Sequence, residues 1–382
     1  MTEGSDKRCN PTADDGIPVD DPIHQQSSRW TDDEFEAYMA RELQKDPLAA
    51  EYPEIFAAAP KCLVQWRRRY RGNPNLWKRL FDKQRVLKEF IEAAPIMDAV
   101  QTFVQNNAPS VDSPDQRFTV VDLASGKGFL SMFLSELLPP SKVRRFVLMD
   151  KAWPMHGMTP QPHHISWEHI YGEVPANDNP VDDTSGNDRT APQRYIETWP
   201  IPLTTSRQDL KHGNQRRNME AKFFQNEGPV ILLAVHLCGT LSLKAVQFFN
   251  DHPDTIRFFA LKPCCLPGMI HAKRHEVFSF GPHHSFDSKL VCVQGKWNKN
   301  KWHGPNRQKL AGVFDVWAHN LFLGINDTNA EKAQVTIRVQ HDGGYQNTFL
   351  FAERFPTTAA VWEKLDAQKS PMCVPIQTEM DY

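Results

Sequence analysis

The chain has 382 residues, 40% of them hydrophobic, and a formal net charge of −2. The near-neutral charge excludes a uniformly cationic protein, so any affinity for nucleic acid must come from local patches. Seven cysteines are too few, and odd in number, for a secreted disulfide framework, and no apolar run approaches the length of a membrane span. We therefore expect a soluble protein of a reducing compartment, cytoplasmic or nuclear, that does not act at a membrane.

The first part of the chain is predicted to be a helical extension that covers residues 29–110. A short helix is predicted over 31–45, with Thr31 as its cap and acids in its first turn. Apolar residues recur at helical spacing over 76–105, where Pro95 is expected to bend or divide the helix.

After residue 117, predicted strands and helices alternate. Buried strands are predicted at 118–123, 144–150, 230–235 and 257–262, with one more within 201–210. Helices are predicted at 127–138, 214–226, 240–250 and 308–325, and a closing hairpin at 335–353. Strands that alternate with helices predict an α/β fold with a mostly parallel, doubly wound sheet that ends in an antiparallel hairpin.

This α/β domain is predicted to span 111–355, with less regular segments inside it and at both ends of the chain. Residues 1–28 are predicted to be disordered, 173–194 to be a flexible acidic insertion, 266–306 to be a partly β-rich insertion and 356–382 to be a C-terminal tail.

The stretch VVDLASGKGFL, residues 120–130, joins the first strand to its helix through two glycines. A glycine turn before a helix lets a ligand approach the backbone, and helix N–H groups favour negative charge there. Asp122 ends the first strand and Asp150 ends the next, where an acid can bind ribose hydroxyls. The pattern indicates a cofactor that carries a nucleoside.

Two cofactors fit this pattern. A dinucleotide site requires G-x-G-x-x-G, but Ser131 stands at the third glycine position. A site for S-adenosylmethionine has an acid at the end of the first strand, before the glycines, and Asp122 matches it. A tight turn with incidental acids is the structural alternative.

The stretches VVDLASGKGFLSMFLSELL (120–138), AVHLCGTLS (234–242) and ALKPCC (260–265) resemble the class I S-adenosylmethionine-dependent methyltransferases. Within that class the chain is most similar to the group that includes the tRNA acceptor-stem 2′-O-methyltransferases. It lacks the additional Cys/His zinc-binding modules of those tRNA enzymes. The resemblance covers about 117–353 and implies the Rossmann-like methyltransferase fold.

The resemblance also implies positions that hold S-adenosylmethionine. These are Asp122, Ala124, Ser125, Gly126, Gly128, Asp150, Asp209 and Leu210. Asp122 and the glycine backbone would face the methionine portion, and Asp150 would hold the ribose. Asp209 would lie near the adenine amine and Leu210 would pack on the base. The alternative for Asp209 is a solvated cap of the helix that follows it.

His236 and Cys238, directly after the strand 230–235, are the predicted catalytic residues. Methyl transfer is an in-line displacement in which positioning matters, and a histidine can remove a proton from an oxygen or nitrogen acceptor. The alternative for His236 is a core histidine that is hydrogen-bonded to a carbonyl.

Cys264 and Cys265 follow the next strand and leave three interpretations open. Together with His236 and Cys238 they could bind a metal, although C-x-x-C spacing is lacking. A thiolate could instead add to a pyrimidine ring. The preferred interpretation is small apolar packing around the cofactor, and we predict no metal.

Two stretches combine cations with aromatic rings, as in many surfaces that bind RNA. Lys61–Lys88 contains ten Lys or Arg and one acid, with Trp66, Tyr70 and Trp77 among them. Lys296–Lys309 contains five Lys or Arg and two tryptophans. The alternative is a solvated helix face with buried tryptophans.

The sequence therefore predicts a methyltransferase that acts on RNA, with tRNA included as a possible substrate. Rival hypotheses are a protein or small-molecule methyltransferase, an NAD-dependent enzyme, and a non-catalytic module that binds RNA or protein.

Overall fold

The structure, a computed structural model, describes residues 30–81, 83–107, 116–155, 158, 161–172, 194–225, 228–298, 301–339, 344–355 and 359–368. Three sequence predictions fall wholly or largely outside these residues: the disordered terminus 1–28, the acidic insertion 173–194 and the end of the tail 356–382.

The helices and strands of the described residues are numbered in chain order. Helices α1 to α12 are Asp32–Leu43, Leu48–Glu51, Pro53–Arg69, Pro74–Leu80, Lys83–Asn106, Phe129–Leu137, Glu168–Tyr171, Gly213–Met219, Leu241–Asp251, Met269–Lys273, Arg307–Gly324 and Ala359–Ala367. Strands β1 to β11 are Phe118–Leu123, Val143–Asp150, Leu203–Arg207, Val230–Cys238, Ile256–Cys265, Val277–Ser279, Ser285–Asp287, Lys296–Asn298, Lys301–His303, Ala330–Thr336 and Thr348–Arg354.

Seven of these strands form one sheet in the order β10-β11-β5-β4-β1-β2-β3. Neighbours from β5 to β3 pair in parallel, whereas β11 pairs antiparallel with both β5 and β10. The predicted α/β class with a mostly parallel sheet is confirmed. The chain leaves the central β1 toward β2 and later returns to β4 on its other side, so the strand order reverses between β1 and β4.

One face of the sheet is covered by the N-terminal helices, α6 and α12, which share a single hydrophobic core with it. Phe103 of α5 contacts Phe118 of β1 and Phe258 of β5, with ring centroids 5.2 and 4.8 Å apart. Trp66 of α3 packs on Phe133 of α6 at 4.5 Å. The N-terminal helices are therefore a layer of the domain core.

The opposite face is covered by α8, α9, α11 and the β6–β7 hairpin, which share a second core with the sheet. The hairpins β6–β7 and β8–β9 and the short α10 lie within the predicted insertion 266–306. No helix in the described ranges is long and apolar enough to cross a membrane.

Three local features differ from, or refine, the sequence predictions. Of the bend or division predicted at Pro95, the division does not occur, because helix α5 continues through Pro95; Ala94, Ile96 and Met97 beside it are fully buried. The closing hairpin begins at Ala330 rather than at 335, because β11 extends to Arg354, which pairs with Ala330. The predicted cap at Thr31 forms, as its hydroxyl accepts a hydrogen bond from the Glu34 N–H at 3.2 Å.

Candidate functional site

The predicted site residues lie at the carboxyl ends of the parallel strands. The glycine loop follows β1, Asp150 ends β2, Asp209 follows β3, and His236 and Cys238 end β4. Doubly wound sheets bind their ligands at this edge, where the strand order reverses. The fold thus brings most of the predicted residues to one edge of the sheet.

The glycine loop is a tight turn that is held to β2. Three of its residues adopt left-handed backbone angles: φ is 52° at Ala124, 55° at Gly126 and 83° at Gly128. The Ser125 N–H donates to the carbonyl of Met149 at 3.0 Å, and the Gly128 N–H donates to the carbonyl of Ser125 at 2.8 Å. These bonds fix the turn between β1 and α6.

The two glycines are required for different reasons. A Cβ at Gly128 would lie 2.2 Å from Cδ2 of the buried Leu148, so this glycine lets helix and strand approach each other. At Gly126 no heavy atom of the described residues lies within 4 Å of where a Cβ would be. Gly126 therefore borders open space, into which a ligand can fit against the backbone.

Asp150 faces this open turn. Its Oδ2 accepts a hydrogen bond from the Gly126 N–H at 3.2 Å, and its Oδ1 accepts one from the Ala152 N–H at 2.8 Å. Burial raises the pKa of Asp150, and these two N–H groups oppose that shift. Each carboxylate oxygen can accept a second hydrogen bond, so Asp150 can bind the two hydroxyls of a ribose. The open turn and this carboxylate fit a nucleoside cofactor.

Asp122 points into the protein. Its side chain is 2% exposed, and its carboxylate accepts a hydrogen bond from the Ser131 hydroxyl at 2.8 Å. Burial raises the pKa of Asp122 to about 7, and the negative charges of Asp150 and Glu89 act in the same direction. Asp122 therefore connects β1 to α6 beneath the turn.

Two buried side chains that the sequence reasoning missed support the turn. The ring of His169 donates its Nε2–H to the carbonyl of Lys127 at 2.8 Å, and burial lowers the pKa of His169 to about 4. The indole of Trp153 donates to Oγ of Ser125 at 3.3 Å. Both follow β2 in the sequence, but no motif marks them.

Asp209 and Leu210 lie after β3. Oδ1 of Asp209 accepts from the Lys211 N–H at 2.9 Å, within a turn that precedes α8. His212 occupies the N-cap position of that helix, so Asp209 does not cap it. Leu210 is 5% exposed and belongs to the second core.

His236 adopts a left-handed conformation, with φ of 64°, at the end of β4. Val235 pairs with Lys262 and Leu237 pairs with Pro263, so His236 is an extra residue that bulges from the strand. Bulges of this kind redirect a side chain and are common beside active sites. Such backbone strain in a residue other than glycine is itself a sign of function.

Two glutamates of α5 flank the His236 ring. Nε2 of His236 lies 3.5 Å from Oε2 of Glu89 and 3.4 Å from Oε2 of Glu92. Burial acts to raise the pKa of Glu89, but the hydrogen bond and charge of His236 and of nearby cations outweigh it and lower that pKa. Glu92 also accepts from Nζ of the fully buried Lys262 at 2.9 Å. A buried lysine inside an apolar strand requires an acidic partner. The position of Lys262 in the sequence could therefore have predicted a buried acid, but not which one.

Cys238, Cys264 and Cys265 cluster at the ends of β4 and β5. Sγ of Cys238 lies 3.1 Å from Sγ of Cys264, which lies 3.6 Å from Sγ of Cys265. Hydrogen bonds from the neighbouring thiols lower the pKa of Cys238, whereas the hydrogen bond to Cys238 raises the pKa of Cys264.

Much of the first basic stretch is used inside the protein. Trp66 and Tyr70 are 2% and 1% exposed, so in this conformation they do not offer their faces to nucleic-acid bases. Arg67 and Arg68 both pair with Asp32, at 2.9 and 2.8 Å. Arg69 pairs with Glu136 at 2.7 Å, and both side chains are buried. These contacts attach α3 to its neighbours, as in the structural alternative.

The second basic stretch contains the β8–β9 hairpin. Its strands pair antiparallel, with Trp297 opposite Trp302 and Lys296 opposite His303. In chain order this hairpin lies between β5 and α11, within the insertion.

No family model matches the chain, and no curated protein matches it.

Proposed function

We propose that the protein is an S-adenosylmethionine-dependent methyltransferase. The observation that carries the proposal is the open turn at Gly126, which lies where the strand order reverses and is bonded to the carboxylate of Asp150. The strand order also supports the proposal, because β11 lies antiparallel between β5 and β10. The class I methyltransferase fold, which the sequence resembles, likewise ends in an antiparallel hairpin.

The third position of the dinucleotide motif favours S-adenosylmethionine over NAD. Ser131 occupies that position, and its hydroxyl donates a hydrogen bond to the carboxylate of Asp122. In the dinucleotide motif a glycine there lets the helix lie close to the strand. Here a hydrogen-bonded side chain fills the space between β1 and α6.

The described residues divide the work of the proposed reaction. S-adenosylmethionine supplies a methyl group on a positively charged sulfur. The backbone at Gly126 and the carboxylate of Asp150 would hold the cofactor. Glu89 and Glu92 lie 3.5 and 3.4 Å from Nε2 of His236 and would orient the ring, and Nδ1 would then accept a proton from the acceptor.

The acceptor is a separate part of the proposal, and RNA is the class to test first. The buried Trp66 and Tyr70 remove part of the support that the sequence offered. The support that stays comes from the Lys296–Lys309 stretch and from exposed cations such as Lys61, Arg71 and Lys78. Protein and small-molecule acceptors are the alternatives that the experiment must separate.

The proposal is tested by incubating the purified protein with labelled S-adenosylmethionine and with total cellular RNA or total protein in separate reactions. With S-adenosylmethionine below saturation we expect label in the RNA fraction, and Asp150→Ala should strongly reduce it by weakening cofactor binding. Asp33→Asn, an exposed acid in the first turn of α1, is the matched control and should leave transfer unchanged. Label that enters protein alone would remove the RNA acceptor, and label that Asp150→Ala leaves unchanged would contradict the cofactor site.

A further inference from the structure

Three cysteine sulfurs meet at the ends of β4 and β5 in a geometry suited to one metal ion. The sulfur atoms of Cys238, Cys264 and Cys265 all lie within 4.8 Å of one another. Thiolates at about 2.3 Å from a tetrahedral Zn²⁺ are separated by roughly 3.8 Å. Small side-chain adjustments would therefore place one ion in contact with all three sulfurs.

The backbone explains how two consecutive cysteines reach the same point. On a regular strand, Cys264 and Cys265 would point to opposite faces. Here Leu237 pairs with Pro263 and Cys238 pairs with Cys265, so Cys264 is an extra residue in β5. Together with the extra residue His236 in β4, this irregularity redirects the side chains at both strand ends.

A backbone hydrogen bond holds the two cysteine-bearing segments together. The N–H of Gly239 donates to the carbonyl of Cys265 at 3.2 Å, and Gly239 turns with φ of 53°. A Cβ at Gly239 would lie 3.6 Å from the carbonyl oxygen of Leu266. The segments after β4 and β5 are thus fixed to each other without help from the thiols.

We propose that Cys238, Cys264 and Cys265 form a Zn²⁺ site with three thiolate ligands and a fourth position open to solvent. Thiolates are soft ligands that select Zn²⁺ over Mg²⁺ or Ca²⁺. Cys238 is exposed and the other two are partly exposed, so an ion and a fourth ligand can reach the site. Each thiol that binds the ion releases its proton to solvent.

A disulfide is the competing use of this cluster. Joining Cys238 to Cys264 would require an oxidant and would leave Cys265 outside the bond. The metal site uses all three sulfurs and suits a reducing compartment. The inference stands on the cysteine geometry alone and does not depend on the proposed cofactor.

The open fourth position gives the site a chemical meaning. Zn²⁺ with three protein ligands and one open position is typical of catalytic zinc centres, whereas structural sites are closed. Sγ of Cys238 lies 3.5 Å from the carbonyl oxygen of His236, so the ion would lie near the residue proposed as the proton acceptor. A water molecule or an acceptor atom is the ligand that this position would take.

The test uses the full-length protein, purified with a reductant, stripped of metal by a chelator and titrated with Co²⁺ and then Zn²⁺. We expect one equivalent of Co²⁺ to bind with a thiolate-to-metal charge-transfer band, and Zn²⁺ to displace it. Replacing Cys238, Cys264 or Cys265 singly by Ser should weaken Zn²⁺ binding by at least about tenfold. Cys292→Ser, a partly exposed cysteine outside the cluster, should change nothing.

Several results would overturn the proposal. They are a wild-type protein without the charge-transfer band, unchanged Zn²⁺ affinity in the three Ser variants, and a Cys238–Cys264 disulfide that mass spectrometry finds in the reduced preparation. Circular dichroism checks that each variant folds. If one does not, the Co²⁺ spectrum of the wild-type protein decides by itself.

Discussion

Two buried titratable side chains beneath the glycine loop change the pH dependence of stability in opposite directions. Burial raises the pKa of Asp122 to about 7 from its usual 3.8, so between these values the folded protein holds a proton that the unfolded chain has lost. Stability must then fall as the pH rises through this range, by roughly 4 kcal/mol in total.

The second side chain, His169, acts in the reverse direction. Burial lowers its pKa to about 4 from 6.5, and the charges of Lys127 and Arg79 contribute to the shift. Between pH 6.5 and 4 the unfolded chain gains a proton that the folded protein does not, so acidification costs about 3 kcal/mol of stability. The two effects act in opposite directions over overlapping pH ranges.

Replacing Asp122 should reveal the effect of His169. In Asp122→Asn, the amide oxygen can still accept from Ser131, but the titration is lost. Relative to the wild-type protein, the change in the free energy of unfolding with increasing pH should then be more positive between about 4 and 6.5. Urea denaturation at a series of pH values measures it, and a profile identical to that of the wild-type protein would contradict the assigned burial.

The converse substitution is His169→Gln, whose amide can still donate to the Lys127 carbonyl. Relative to the wild-type protein, the free energy of unfolding should here fall more steeply as the pH rises from about 4 to 6.5, because the opposing titration of His169 is lost and that of Asp122 stays. The same urea series serves as the measurement, with the wild-type profile as its reference.

At the scale of elements, the contact between β2 and α6 depends on Gly128. Gly128→Ala places a methyl group 2.2 Å from the buried Leu148 in a left-handed conformation, and we expect a loss of about 2–4 kcal/mol. Gly126→Ala, which is also in the left-handed region, with φ of 55°, but borders open space, should lose only about 1 kcal/mol. Thermal and urea unfolding compare the two, and equal losses would contradict the packing role.

The ion pair between α5 and β5 is a second contact between elements. Lys262→Met leaves Glu92 buried without its nearest cation and should cost about 3–5 kcal/mol. The double substitution Glu92→Met with Lys262→Met removes both charges and should recover most of that loss. Urea unfolding of the single and double variants is the test; an additive loss would show that the pair is not coupled.

The regular elements around the site could be predicted, but their irregular ends could not. Strand β1 lies at the predicted residues 118–123, because its apolar and β-branched residues favour a buried strand, and all six residues are buried. The extra residues His236 and Cys264 arise from shifts in the pairing register of β4 and β5. Such a shift depends on both strands, so the sequence of one strand does not predict it. The Glu92–Lys262 pair joins residues 170 positions apart, and a local pattern does not contain such a contact.

At the scale of the whole molecule, the N-terminal helices cannot be separated from the sheet. They share one core with it, and α5 supplies the two glutamates beside His236. The sequence predicts these helices as an extension and not as part of the core. Helical periodicity identifies the apolar face of a helix but not the element that packs on that face.

A fragment that begins at residue 107 should therefore fail to fold. Removing α1 to α5 would expose Val120, Ile231 and Phe258, which are fully buried in the intact chain. We expect aggregation and loss of the near-ultraviolet circular dichroism signal. A soluble fragment with cooperative unfolding would contradict the shared core.

The central claim, a nucleoside cofactor that carries a sulfonium methyl group at the glycine loop, is tested most directly by calorimetry. S-adenosylhomocysteine and NAD are titrated separately into the wild-type protein and into Asp150→Ala. We expect S-adenosylhomocysteine to bind one site on the wild-type protein. Asp150→Ala should weaken this binding at least about tenfold, because it removes the carboxylate that would accept hydrogen bonds from the ribose hydroxyls. Heat with NAD alone, or binding of S-adenosylhomocysteine that Asp150→Ala leaves unchanged, would contradict it.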